Sequence, residues 1–308
     1  MTLLYGRDAM TVRRNIFSYL MVAPALLLVL ALGVYPMVDS LRLAMVQYDL
    51  MRLDTDGAPF VGFANFRTIF NDPRFLGAFL NTILFALIAV GAVTLLGLLI
   101  AQVLNLGFRG RGALRSLVLV PWVIPPVVAS AIWMWVFQPE RSPINQVLKA
   151  MGLIEGNIKF LTDAIHTIGP FSIPMMAVSA VRIWGGLPFV TVMILAGLQS
   201  IPQDIYESAE IDGAGAFHKF WYVTIPMLRA TLAILVTLLF IGGIGHFEVN
   251  YIMTGGGPAN LTNILAVMSY QQAFTQYRFD LAAAISSVIL VLTSIVAAFY
   301  IRDRISHD

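Results

Sequence analysis

The chain contains no cysteine, which excludes disulfides, thiolate metal sites and a cysteine nucleophile while saying nothing about compartment. Charge is almost as scarce. Asp, Glu, Lys and Arg make up 12% of the 308 residues and hydrophobic residues 58%. Soluble domains carry about 25% charged residues, so an ordinary globular protein is excluded. Net charge is only +2, and no basic cluster interleaved with aromatics is present, so nothing argues for a nucleic-acid partner. No GxxxxGK[ST] phosphate loop, HExxH or GxSxG pattern occurs, and His166, His218, His246 and His307 are scattered. A membrane-embedded enzyme therefore has no set of groups to work with, and any ATP hydrolysis belongs to another polypeptide.

Long uncharged runs are what the chain has instead. A bilayer core of about 30 Å needs roughly 20 helical residues per span. Runs 16–38, 78–104, 117–137, 171–198, 228–251 and 281–301 meet that length. Lipid-facing backbone must pair within its own segment, and a barrel would show alternation over about ten residues instead. The expected fold is an all-α membrane protein, a six-span helical bundle. Arg13 and Arg14 precede the first run as in a signal peptide. That run is long, lacks a small-x-small cleavage site and leads to further spans, so it is read as a retained helix. The expected plan is a tail at 1–15, a first helix with its outer segment at 16–77, a five-helix core at 78–301 and a tail at 302–308.

Orientation follows from cations beside span ends. Arg7, Arg13, Arg14, Arg109, Arg111, Arg115, Lys219, Arg229, Arg302 and Arg304 crowd short segments on one side, whereas Arg42, Arg52, Arg67, Arg74, Arg141, Lys149, Lys159 and Arg278 spread over long ones. Both termini and the 203–227 loop are expected in the cytoplasm, with Arg109, Arg111 and Arg115 near anionic headgroups.

The 203–227 stretch, QDIYESAEIDGAGAFHKFWYVTIPM, is the most polar part of the chain between two apolar runs. Two short helices are expected, 203–212 and 214–223, broken at Gly213-Ala214-Gly215 and closed before Pro226. Such a pair makes either an ordinary connecting loop or a knob that docks on something.

Within the spans, Pro121, Pro125 and Pro126 flank Trp122 and must distort the third helix, which is tolerated only against protein or a wet cavity. Arg182, Gly186 and Phe189 fall at i, i+4 and i+7, placing a charge, a gap and a ring on one stripe. Leu239, Gly243, His246 and Asn250 repeat that spacing in the fifth span, where His and Asn can donate and accept as sugar hydroxyls require. Glu248 lies roughly 200° around the helix from His246 and is expected to face elsewhere. Whether it pairs with Arg182 is left open.

Outside the spans, Ile144, Val147, Leu148 and Met151 have helical spacing and predict an amphipathic helix in the 138–170 segment. Asn81 and Thr82 look like no more than the start of a helix. The glycine run at 254–260 reads either as a flexible turn or as backbone that approaches a ligand or a docking protein.

One constellation has a specific likeness. Glu207-Ser208-Ala209, three residues, Gly213, nine residues, Val223, one residue, Ile225-Pro226 resembles the EAA loop of ABC importer permeases. Ser208, Val223 and Ile225 depart from it conservatively. Gln199–Pro202, Ile211–Ala214, Pro121-Trp122 with Pro125, Trp184 with Pro188, and Thr254–Pro258 resemble the carbohydrate-uptake, MalF-like branch of these binding-protein-dependent permeases.

The resemblance implies half of a translocation pathway for a sugar or sugar derivative in a bacterial or archaeal cytoplasmic membrane. It implies a second, MalG-like permease subunit, an ATPase dimer that holds ATP-Mg, and an extracytoplasmic solute-binding protein; this chain itself needs no cofactor or metal. Sugar contacts carry over to Trp122, Pro126, Arg182, Gly185, Gly186, Phe189, Leu239, Gly243 and His246. ATPase coupling carries over to Glu207, Ser208, Ala209, Asp212, Gly213, Ala214 and Pro226. Arg182 replaces a neutral residue, which suits an anionic or strongly polar sugar. The alternatives are a permease for glycerol phosphate or another non-sugar solute, a channel or secondary transporter gated by Arg182 and Glu248, and a sensory or scaffold protein.

Overall fold

The computed structural model describes residues 19–49, 51, 58–168 and 171–305. The expected tail at 1–15, the first residues of the first span and residues 306–308 lie outside them. The described chain is helical almost throughout. It runs α1 (Tyr19–Leu43), α2 (Ala64–Phe70), α3 (Pro73–Asn105), α4 (Arg111–Val123), α5 (Pro126–Val136) and α6 (Pro143–Ala150). A two-stranded antiparallel hairpin, β1 (Thr167–Ile168) with β2 (Phe171–Ser172), leads to α7 (Ile173–Gln199). The remainder is α8 (Gln203–Ile211), α9 (Ala216–Ile244), α10 (Glu248–Thr254), α11 (Leu265–Tyr270) and α12 (Phe279–Ile305).

Five helices, α1, α3, α7, α9 and α12, are long and apolar enough to cross a membrane, and the bent pair α4–α5 makes a sixth crossing if counted as one. The starts of these helices are written in the sequence. The Asp72 carboxylate accepts from Arg74 N at 2.9 Å ahead of Pro73 and caps α3. Hydrogen bonds from the Arg74 guanidinium hold that carboxyl below its usual pKa range. Ser172 does the same for α7, accepting from Met175 N at 3.2 Å. In each case the cap satisfies one of the N–H groups that a helix start leaves free.

The centre of the bundle is the pairing of α3 with α7, closed by α9. Val90, Val93 and Leu98 of α3 pack with Val190, Ile194 and Leu198 of α7 and Leu228 and Leu235 of α9. Glycines set the approach: a Cβ on Gly97 would lie 2.5 Å from Val190 Cγ1, and one on Gly197 would lie 2.8 Å from Leu228 Cδ2. A membrane offers no hydrophobic drive between helices, so close van der Waals packing across small residues must supply the association. By contrast, α1 buries nothing of its apolar window against the rest of the chain and meets α12 near its C-terminal end.

At the end of the bundle opposite α8, the 44–72 segment is pinned to the core by polar groups. Asn65, 5% exposed, donates to Ala44 O at 2.9 Å and Val46 O at 2.8 Å. Arg278 forks onto the buried Asp280 carboxylate at 3.0 Å on both oxygens, and Asp280 N donates to Tyr48 O. In the 138–170 segment the expected helix forms at 143–150, and a polar side chain anchors its inward face. Val147 and Met151 are exposed, while Asn145 is 1% exposed and bonds Pro139 O and the Ile158 backbone. A buried amide that closes a loop outranks apolar spacing there, because the loop carbonyls must be paired. Beyond that helix, backbone N–H groups of His166 and Ile165 hold the Asp163 carboxyl down at about 2.

Gly97→Ala is expected to destabilise the bundle by about 1–3 kcal/mol through overpacking. Gly91→Ala, on the same helix with open space around its Cβ, should leave it unchanged. Thermal unfolding midpoints in one detergent compare the two.

Candidate substrate cavity and coupling knob

The polar stretch forms a knob whose first half is as expected. Helix α8 ends at Asp212, and Gly213 adopts φ +80°, the left-handed turn that glycine takes without strain. Gly213 N donates to Glu210 O at 3.0 Å and Ala214 N to Ala209 O at 2.9 Å. This is a Schellman stop, so Ala209, Asp212, Gly213 and Ala214 build the corner of the knob. Glu207 and Ser208 are exposed on α8, with Gln203 Nε2 donating to Glu207 Oε1 at 2.9 Å. Lys219 Nζ reaches Glu210 Oε2 at 3.2 Å across the corner.

The second half corrects the sequence reading. Pro226 does not close a short helix; residues 216–244 form one helix from the knob into the bundle. A π-helical turn at Phe220–Thr224 makes this possible, with Ile225 N donating to Phe220 O. That turn widens the helix where the Pro226 ring would otherwise crowd the carbonyl four residues back. Tyr206 Oη meets Thr224 Oγ1 at 3.0 Å and ties α8 to the same turn. Ile211, Phe217, Trp221 and Tyr222 are all more than half exposed on the knob.

Prolines and glycines also decide the shape of the candidate cavity. Ile124 and Pro125 each precede a proline and take extended backbone, so α4 and α5 meet at 99° rather than forming the single span expected at 117–137. The fifth span is likewise interrupted: α9 ends at Gly245, and α10 begins at Glu248 after Phe247 leaves helical geometry. The stripe Leu239, Gly243, His246, Asn250 is therefore not continuous. Leu239 and Gly243 stay on α9, and His246 sits in the break with its ring stacked on Phe85 at 5.6 Å. The break also turns Glu248 back, so its carboxylate lies 3.5 Å from His246 Nδ1 instead of facing elsewhere.

Four of the nine sequence-derived cavity residues come together. Arg182, Gly186, Leu239 and Gly243 line one small cavity with Ala89, Val90 and Val93 of α3, and its volume of about 10 Å³ holds roughly one water. The Arg182 guanidinium lies beside Gly186 and reaches toward Gly242. It has no hydrogen bond or ion pair within 4.0 Å among the described residues, although the Glu248 charge acts on it from further away. His246 Nε2 is buried without a partner among the described residues. Trp122 and Phe189 form a separate edge-to-face pair at 6.2 Å. Pro126 is exposed at the start of α5, and Gly185 faces open space.

Residues passed over in the sequence frame this site. Asn81 Nδ2 donates to Asn260 O and Asn263 O at 3.0 Å each, and Thr82 Oγ1 accepts from Leu265 N at 2.8 Å. Thr262 Oγ1 bonds Thr254 Oγ1 and Gly257 O, and Gln271 Nε2 donates to Gly255 O. The glycine run is thus an ordered, polar-latched loop, not a flexible turn. Its legible signal was the density of Asn and Thr around it, since buried irregular backbone has to be paired by such side chains.

Residues 93–307 match the family described as binding-protein-dependent transport system inner membrane component. The chain is 33% identical over 290 residues to the sulfoquinovosyl glycerol transport system permease protein SmoG of Agrobacterium fabrum, covering 94% of this chain and 90% of that one. It is 30% identical over 288 residues to the trehalose/maltose transport system permease protein MalF of Thermococcus litoralis, covering 92% of each. A subunit of a bacterial alginate ABC transporter, solved in complex with an alginate pentasaccharide-bound periplasmic protein, shares the fold with a TM-score of 0.76 at 22% identity over 94% of each chain.

Gly213→Ala forces a side chain into left-handed backbone at a cost of about 1–2 kcal/mol. Hydrogen exchange across 203–214 should accelerate several-fold while exchange in α3 and α7 stays at its parental rate.

Proposed function

Because this chain belongs to the family of binding-protein-dependent transport system inner membrane components, we propose that it is the permease subunit of an ABC importer that carries a sugar or sugar derivative through a multi-pass helical bundle. It is a transport subunit, and ATP-Mg is held and hydrolysed by a separate ATPase dimer that seats the 203–227 knob. A second, MalG-like permease half completes the pathway, and an extracytoplasmic binding protein delivers solute to the end of the bundle opposite the knob. Both termini lie with the knob on the cytoplasmic side. The sugar class rests on the 33% and 30% identical relatives, which are named for a sulfosugar glycoside and for trehalose and maltose.

The observation that supports coupling best is the uninterrupted α9. Its residues 216–239 span about 35 Å at 1.5 Å per residue, from the knob to the cavity. A push on the knob therefore arrives at Leu239 and Gly243 as motion of a rigid rod rather than being absorbed in a hinge. With only about 10 Å³ free, the cavity is closed to solute in this conformation. Opening requires α7 and α9 to part, and the fractures at Ile124-Pro125 and 245–247 are the places where backbone can turn without breaking helical pairs. Substrate oxygens would then meet the Arg182 guanidinium and His246 Nε2, neither of which has a hydrogen-bond partner among the described residues. A guanidinium can fork onto a carboxylate or sulfonate, which favours a sugar bearing an anionic group.

In proteoliposomes containing the complete transporter, Glu207→Lys and Gly213→Pro are each expected to abolish ATP-driven sugar uptake; normal uptake by either variant removes the coupling assignment. Arg182→Ala should reduce substrate-stimulated ATPase and uptake about tenfold or more, the cost of losing a charged hydrogen bond of roughly 1.5–3 kcal/mol. Unchanged substrate dependence in that variant makes Arg182 a structural charge.

A further inference from the structure

An aromatic series runs along the end of the bundle opposite the knob, outside the cavity just described. Phe247 stacks on Tyr251 with centroids 4.9 Å apart, Tyr251 meets Tyr270 at 4.6 Å, and Tyr270 meets Phe274 at 4.8 Å. The series continues from Phe274 to Phe279 at 5.9 Å and from Phe279 to Tyr48 at 6.2 Å. These rings come from α10, from α11 and its π-helical continuation Gln271–Thr275, from the start of α12 and from the 44–49 segment. Not one is fully buried: Phe274 is 59% exposed, Tyr251 36%, and the others are half-buried.

Both ends of the series are polar. At one end Phe247 directly follows His246, and the Glu248 side chain beside it is 53% exposed. At the other end Phe279 and Tyr48 form walls of an open cavity of about 460 Å³, which Asp39 and Arg42 also line. That volume is in the range of about 300–1,000 Å³ typical of ligand sites. Asp39 and Arg42 are paired only loosely, at 3.4 Å, and stay largely exposed, so both can still bond a ligand.

The geometry points to a saccharide track: a second, outer binding site in which sugar rings stack on the exposed aromatic faces between the Asp39–Arg42 cavity and the mouth at Glu248 and His246. A pyranose has C–H faces that are apolar and weakly positive, and they suit the negative face of an aromatic ring. Its rim of hydroxyls needs both donors and acceptors, which Arg42, Asp39 and Glu248 supply. Successive rings lie 4.6–6.2 Å apart, stacked at Phe247–Tyr251 and edge-to-face from Phe274 through Phe279 to Tyr48, so a sugar can pass from one contact to the next without losing all of them. A lipid-facing aromatic belt is the competing occupant. Belt residues are independent anchors at one depth, whereas these rings touch in series across four chain segments and end at charged groups. The inference rests on the sugar reading of the preceding subsection.

The test uses the complete transporter in nanodiscs without the binding protein, titrated with maltotriose, trehalose, sulfoquinovosyl glycerol and a galacturonate trisaccharide. Saturation transfer from protein to sugar C–H protons reports Kd. Phe274→Leu and Tyr270→Leu keep the apolar bulk and remove the ring, and each should raise Kd for the bound sugar about three- to tenfold, as the loss of one stacking contact predicts. Phe274→Tyr and Tyr270→Phe keep the ring and should return Kd to its parental value. A parental Kd in the leucine variants overturns the track while leaving the sugar reading intact. So does a defect of equal size in the ring-keeping variants, or one that follows the lipid composition of the disc instead of the sugar. If the unaltered transporter binds none of the four sugars in nanodiscs and, in proteoliposomes with its binding protein, imports sn-glycerol 3-phosphate but none of them, the sugar reading itself fails and the track with it.

Discussion

Each break in a helix that crosses a bilayer frees N–H and C=O groups that hydrocarbon cannot pair, at a cost of several kcal/mol per group. That constraint explains where this chain is regular and where it is not. Helices α3 and α7 run unbroken through 33 and 27 residues, and their pairing forms the scaffold. The fractures fall at Ile124-Pro125, at 245–247 and in the 255–264 loop, and in that loop side chains replace the lost helical bonds. Asn81 and Thr82 of α3 bond the loop backbone, and Asn145 performs the same service for the 138–170 segment. The scaffold is apolar and the irregular parts are polar for one reason.

Function follows the same division. The knob is a rigid corner set by a glycine stop, and it joins a helix that a π-helical turn carries past Pro226 into the bundle. The small cavity of Arg182, Gly186, Leu239 and Gly243 lies between the unbroken helices α3, α7 and α9. The proposed coupling to a separate ATPase rests on this combination of a continuous helix and interrupted neighbours. The half-buried guanidinium of Arg182 has no hydrogen bond or ion pair within 4.0 Å among the described residues, which costs stability unless something pairs with it.

Much of this was legible beforehand. The spans were visible because about 20 apolar residues are needed to cross lipid, and the expected runs 78–104, 171–198 and 281–301 lie within a few residues of α3, α7 and α12 at both ends. Gly213 and the first knob helix were visible because a left-handed turn selects glycine. The errors share a cause. Local rules make Pro226 a terminator, Asn81 and Thr82 mere helix starts, and the fifth span one helix that carries His246 and turns Glu248 away. In every case the local rule was sound and a tertiary contact or a change of helix register overrode it.

The sequence by itself determined the membrane class, the long apolar spans and the position and turn of the knob, because each depends on composition or on backbone preferences acting over a few residues. Only the tertiary structure decided which polar groups meet. It bent α4 against α5, returned Glu248 to His246, closed Arg182 into a cavity with Gly243 and aligned six aromatic rings from four separate segments. Those outcomes depend on where helices fracture and on which side chains pair the freed backbone, and such pairings join residues up to 183 positions apart.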